Sequence, residues 1–246
     1  MLGLEIIITV PAILFGSIVL GMVGFGIGLT STPFLILVID PKSAVVIVNT
    51  VSLPVFMLLI YQNRYHINYR ILFLPICSGI AGVPVGIYIF SIMPTDILIV
   101  FIALTIIVFG IYAISGSDTT FFSSQWVFAV VSFLVGGLLA VTGIGGPLMA
   151  LVAVSKKWSK KSIRGSLPFF YLFVESVAVV GYLATGMLDK NTSILVMVGV
   201  VPALIGFGIA SIIVKKISEA RYRTVILVII ISSGLGVLVK GAAGLM

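Results

Sequence analysis

Two glycine-broken apolar stretches, Gly24-Phe25-Gly26-Ile27-Gly28 and Gly143-Ile144-Gly145-Gly146-Pro147, are the places where this sequence can hold a ligand without a charged side chain. A helix that begins just after such a break presents unpaired backbone N–H groups and the positive end of its dipole, which together receive an anion. Pro147 suits that geometry, because a first-turn proline gives up no helical hydrogen bond. Thr30, Ser31 and Thr32 follow the first break, ahead of Pro33, and Thr142 precedes the second. The expected substrate-binding set is therefore Gly24, Gly26, Gly28, Thr30 and Ser31 from one break, and Thr142, Gly143, Gly145 and Gly146 from the other. The competing reading is close helix packing through small residues, which suffices for Ser78, Gly82 and Gly86 at four-residue spacing. Packing alone does not require two helix interruptions.

Glu175 is the ionisable residue deepest within an apolar run, roughly 18 Å along a helix from Ile163. A charged carboxylate at that depth is costly, so it must be paired or protonated, and a group that takes up and releases a proton there can couple flux to protons. The alternative is a permanently protonated acid bonded to a neighbour such as Tyr171 or Ser176. Its counterpart in the first half of the chain is Phe56, so the halves are not equivalent here. Asn49, Thr50 and Ser52 lie inside the second apolar run and Ser166 in the equivalent region of the sixth. Such buried polar groups either line a pathway or bond neighbouring helices. Arg164, at the start of the sixth run, either attracts an anion at a cytoplasmic mouth or joins Lys156, Lys157, Lys160 and Lys161 in fixing orientation. His66, among Asn63, Arg64, Tyr65 and Asn68, has no cluster of metal ligands around it, so no metal site is expected. The sequence has no Walker motif, zinc-binding helix or nucleophile elbow, and Glu175 has no partner carboxylate in another run. No catalytic residues, no cofactor and no enzymatic activity are expected.

The elements that position these residues follow from composition. Hydrophobic residues are 61% of the chain, charged residues 9%, and mean hydropathy is +1.35, far from the soluble range of about 45–50% apolar and about 25% charged. This is an all-α polytopic membrane protein. The 246 residues hold roughly eight spans of about 20 residues. Net charge +7 lies between the apolar runs, where it sets topology and meets lipid headgroups, so no nucleic-acid partner is expected. Cys77 falls inside an apolar run and reads as a small buried hydrophobe. Met1 to Leu20 lack a basic leader and carry Glu5, which reads as the start of the first membrane helix and not a cleaved signal.

Apolar runs fall at about 4–39, 43–61, 71–91, 96–114, 126–155, 162–184, 192–214 and 224–240. The first and fifth would make straight helices of about 54 and 45 Å, against a hydrocarbon core of about 30 Å, so both must be broken or fold back as hairpins. The breaks also align: Gly24-Phe25-Gly26 with Gly143-Ile144-Gly145, Pro41-Lys42-Ser43-Ala44 with Lys160-Lys161-Ser162-Ile163, and Gly79 to Gly86 with Val201 to Gly208. These matches define two homologous repeats, 1–115 and 125–246, joined by a polar linker, 116–124. Equivalent loops are loaded oppositely, Lys42 against Lys160 with its neighbours, and Ser91 to Asp96 against Lys215 to Arg223. Opposite loading favours inverted repeats with hairpins, and it places both termini outside.

The order of a glycine-rich break, an apolar run to proline, a short polar turn, a Ser-Ala or Ser-Ile helix start and a Gly-x-x-x-Gly-type third helix, given twice, resembles the sulfite exporter TauE/SafE family over nearly the whole chain. The resemblance implies transport, commonly outward, of sulfite, sulfonates or related small organosulfur anions across a bacterial or archaeal cytoplasmic membrane. It also implies that the glycine breaks, Asn49 and Ser166 line the substrate site. The expected mechanism is alternating access around a midplane site, with Glu175 as proton partner. A passive small-anion channel and a non-transporting membrane scaffold are the other readings. Monomer and oligomer are both compatible with this pattern.

Overall fold

The computed structural model describes residues 2–114, 124–216 and 218. Along them run helices α1 (Leu2–Val23), α2 (Ile27–Leu35), α3 (Pro41–Asn63), α4 (Tyr69–Ile92), α5 (Thr95–Ile114), α6 (Gln125–Thr142), α7 (Gly146–Ser155), α8 (Lys160–Ala184) and α9 (Lys190–Ile213). No strand occurs among the described residues. Six of the helical stretches there, Gly3–Val23, Pro41–His66, Tyr69–Ile92, Gln125–Thr142, Lys160–Ala184 and Lys190–Lys216, are long and apolar enough to cross a membrane. The expected eighth segment at 224–240, the linker 116–124 apart from Ser124, and Arg221, Arg223 and Lys240 lie outside the described residues.

Local sequence sets the helix starts. The Asp40 carboxylate accepts from the backbone N–H groups of Lys42 and Ser43, with Pro41 in the first turn of α3. Ser159 caps α8 at the equivalent place by accepting from Ser162 N–H, and Asp189 caps α9 by accepting from Thr192 N–H. Each side chain satisfies a donor that the helix itself leaves unpaired.

The two over-long segments are interrupted at their glycines, and the second piece of each turns back along the first. Ser31 Oγ of α2 donates to the Ala12 carbonyl of α1 at 2.8 Å. Gly16 makes that approach possible: a Cβ there would sit 2.0 Å from Ser31 Oγ. In the second half Ser132 Oγ of α6 lies 3.9 Å from Met149 Sδ of α7, and a Cβ at Gly145 would come within 2.7 Å of Val135.

The most extensive helix contacts are α4 with α6, α1 with α9, and α3 with α8. The first two both depend on glycine. A Cβ at Gly82 would meet the Phe133 carbonyl at 2.1 Å, and one at Gly206 the Leu14 carbonyl at 2.6 Å. Pro75, Gly79, Gly82 and Gly86 form a buried stripe on α4, and Gly199, Ala203, Gly206 and Ala210 form one on α9.

α3 and α8 cross antiparallel. Gly165 packs on Asn63, Tyr171 stacks on Phe56, Glu175 meets Ser52, and Tyr182 meets Asn49. The remaining charges divide between the two ends of the bundle. Lys160 Nζ bonds the Val214 carbonyl and Arg164 bonds Gln62, which gathers the α3–α4 and α7–α8 connections and the end of α9 at one end. That end carries Arg64, Arg70, Lys156, Lys157, Lys160, Lys161, Lys215 and Lys216. Lys42 bonds the Ser91 carbonyl and Thr192 bonds Ser43 at the other end, where Lys42 and Lys190 sit with Asp40, Asp96 and Asp189.

Large apolar side chains such as Phe73, Tyr88, Met197 and Val201 are exposed on the outer surface, as a hydrocarbon solvent permits. Cys77 is exposed among them on α4 and is not the buried hydrophobe expected from its apolar run. An apolar run alone does not say which face of its helix is turned to lipid.

Candidate functional site

The two glycine breaks meet in the interior. A Cβ on Gly28, in the first turn of α2, would lie 1.9 Å from the Gly143 carbonyl oxygen, and one on Gly146 would lie 2.3 Å from the Phe25 ring. Gly26 and Gly143 hold φ values of 99° and 70°, a left-handed conformation that glycine adopts without the Cβ clash. Thr30 N–H donates to the Gly26 carbonyl, leaving the earlier N–H groups of α2 without helical partners. The same holds for the first turn of α7, where Pro147 has no N–H. Between these helix starts lies a small cleft lined by Phe25, Gly26, Ile27, Gly28, Phe56, Leu139, Gly143, Gly145, Gly146, Tyr171 and Glu175. Its free space is about 10 Å³, roughly the room for one water molecule, so an anion enters only when the surrounding helices separate.

The α3–α8 crossing supplies the polar wall. Glu175 is 4% exposed. The Ser52 hydroxyl is in hydrogen-bond contact with Glu175 Oε2 and is also 2.7 Å from the Asn49 carbonyl. Asn49 Nδ2 donates to the Leu139 carbonyl at 3.0 Å and to Tyr182 OH at 2.9 Å, and Tyr182 OH donates to the Ala140 carbonyl at 2.7 Å. The last carbonyls of α6 are thus capped by side chains of α3 and α8. Three buried polar atoms close to the breaks have no hydrogen-bond partner among the described residues: Asn49 Oδ1, Thr32 Oγ1 and Tyr171 OH. The first two flank Gly143, at 3.3 and 3.9 Å from the place of its Cβ.

Of the residues expected to bind substrate, Gly26, Gly28, Gly143, Gly145 and Gly146 line the cleft together with Glu175. Asn49 and Ser52 form the network behind it. Others point elsewhere. Gly24 packs its backbone against Arg164 and Pro168 of α8. Thr30 Oγ1 bonds back to the Gly26 carbonyl, Ser31 bonds α1, and Thr142 Oγ1 accepts from Ile144 N–H inside the turn. Ser166 accepts from Asn68 N–H at the α3–α4 connection, away from the cleft. Each hydroxyl satisfies a nearby backbone group, the usual fate of serine and threonine in apolar helices.

Arg164 corrects its expected place most clearly. It is 5% exposed, and its guanidinium donates twice to the Gly21 carbonyl, at 3.0 and 2.8 Å, and once to Gln62 Oε1 at 3.0 Å. It therefore caps the C-terminal end of α1, where a cation complements the helix dipole, and does not line a mouth.

Phe25, Ile27, Phe56, Leu139 and Tyr171 line the cleft but are missing from the expected set. Two of them carried a signal. Tyr171 lies one helical turn before Glu175, hence on its face, and Phe56 is the residue that the sequence offset between the two glycine breaks sets against Glu175.

No curated protein and no solved structure matches the chain. A family model described as "Sulfite exporter TauE/SafE" matches residues 9–237. With apolar helices long enough to span a bilayer and a match over most of its length, the chain belongs to the TauE/SafE sulfite exporter family, as an integral membrane protein of a transporter family.

Proposed function

We propose that the protein is a secondary transporter that exports sulfite, a sulfonate or a related small organosulfur anion by alternating access, with Glu175 carrying a coupled proton. The observation that carries this reading is the meeting of two helix starts, at Gly26–Gly28 and Gly145–Gly146, on one cleft that also holds Glu175. Free N–H groups and dipole ends receive the anion, and among the described residues no cation lines the cleft to hold it so tightly that release fails. Discontinuous segments paired across two repeats are where carriers of this general design place their substrate.

The Ser52 contacts support the proton role. A hydroxyl has one proton, yet Ser52 Oγ faces two oxygens, the Asn49 carbonyl and Glu175 Oε2. Both contacts are attractive at once when Glu175 is protonated and bonds Ser52, leaving Ser52 to donate to Asn49. Loss of that proton forces the Ser52 hydroxyl to choose the carboxylate. Charge on Glu175 beside an anion is repulsive, so anion occupancy and protonation favour each other.

The antiparallel α3–α8 crossing supports inverted repeats, and the returning α2 and α7 support hairpins that dip into the membrane. The basic end of the bundle is then cytoplasmic by the positive-inside rule, with the N-terminus outside. A crossing by the segment at 224–240 brings the C-terminus outside as well. The halves rock about the α3–α8 crossing and expose the cleft to each side in turn. Gly26→Leu and Gly145→Leu each abolish sulfite flux in reconstituted vesicles under this reading. Intact flux in both variants sinks it.

A further inference from the structure

We infer that the Tyr171 phenol is an anion-binding hydroxyl of the central cleft, acting with the first turn of α7 to hold one oxygen of the transported anion. This rests on the anion-carrier reading above and adds a residue to its site.

Tyr171 is 2% exposed and its hydroxyl has no hydrogen-bond partner among the described residues. Leaving such a group unpaired in a buried site is costly, so a tyrosine kept only for packing is a poor choice there. Its ring is fixed from two sides. Phe56 stacks on it with centroids 5.7 Å apart and planes at 25°, and Phe170 meets it edge-on at 5.3 Å. The ring edge is also placed: Cε1, next to the hydroxyl-bearing carbon, is 3.6 Å from the position of a Cβ on Gly145. Gly145 immediately precedes α7, so the phenol end stands beside the unpaired N–H groups of that ten-residue helix.

The comparison between repeats sharpens the assignment. Pro147 of α7 stands where α2 has Gly28, so the first turn of α7 lacks one N–H that α2 keeps. A phenol at this point restores a donor. Ser52 is the repeat counterpart of Tyr171 and already engages Glu175. Of two hydroxyls at equivalent positions, one serves the proton-carrying group and the other is left for the anion.

The test is Tyr171→Phe, which keeps the ring and its stack on Phe56. Counterflow of labelled sulfite in proteoliposomes is measured over a range of concentrations. The expected result is a KM raised roughly tenfold or more, the loss expected for one hydrogen bond to a charged ligand, with maximal rate and thermal unfolding midpoint little changed. An unchanged KM overturns the inference while leaving the carrier reading intact. Absence of saturable counterflow in the wild type defeats the carrier reading itself. As a second readout, 3-fluorotyrosine placed at position 171 is followed by 19F NMR during sulfite addition. A resonance that moves and saturates at the transport KM supports the inference, and one that does not move overturns it.

Discussion

The Ser52 hydroxyl of α3 and the Glu175 carboxyl of α8 meet at the crossing of the two helices. One turn away on the same helices, Phe56 and Tyr171 form an aromatic stack. The crossing therefore carries a polar contact and an apolar one side by side, and Glu175 is the carboxyl among the residues that line the cleft.

Glu175→Gln keeps the shape and a hydrogen-bonding group at Ser52 but cannot release a proton. Sulfite exchange is expected to persist, while acceleration by a pH gradient disappears. Vesicles loaded with sulfite and given equal or unequal pH on the two sides check this directly. Gradient-driven flux in the variant contradicts the role of Glu175.

Gly28→Ala places a methyl group against the Gly143 carbonyl, 1.9 Å away before adjustment. Backbone must move, and overpacking of this kind costs about 1–3 kcal/mol. The expected outcome is a lowered unfolding midpoint together with at least a tenfold loss of flux. A control at Gly208, where among the described residues no atom beyond its own turn of helix lies within 4 Å of the Cβ position, is expected to change neither.

Arg164→Ala removes the donors that satisfy the Gly21 carbonyl. A buried acceptor left unpaired costs about 1–3 kcal/mol, visible as a lower unfolding midpoint in detergent. Arg164→Lys does not restore it, because an ammonium lacks the planar fork that reaches Gly21 and Gln62 together.

Asp189 caps α9 from an exposed position, and its bonds from Thr192 hold its carboxyl below the usual aspartate range. A group depressed in this way stabilises the fold above its unfolded value of about 3.9 and loses that contribution as pH falls through the folded value. Asp189→Ala is expected to cost about 1 kcal/mol at neutral pH. The difference from the wild type shrinks in acid, as thermal unfolding across pH will show.

Most of the helical plan was legible because glycine, proline and polar turns punctuate apolar runs whose lengths are fixed by the bilayer. The ends at Val23 and Thr142 are written in that punctuation, and the starts expected at about 43 and 162 fall two residues earlier, at Pro41 and Lys160, where the capping side chains of Asp40 and Ser159 set them. Direction of side chains was not. Thr30, Ser31 and Ser166 have the composition of a pathway lining, yet each hydroxyl is used by a nearby backbone group, a choice set by helix rotation and partner distance. Arg164 was hidden for the same reason: its partner is a main-chain carbonyl more than a hundred residues away, which no local pattern reports.

The most direct test of the anion-carrier account is counterflow of labelled sulfite into proteoliposomes preloaded with unlabelled sulfite, with and without a pH gradient. Saturable uptake that is accelerated by internal substrate and responds to the gradient is the predicted result. Flux that rises without saturation and shows no counterflow would contradict it in favour of a channel, and folded protein with no flux at all would leave only a scaffold.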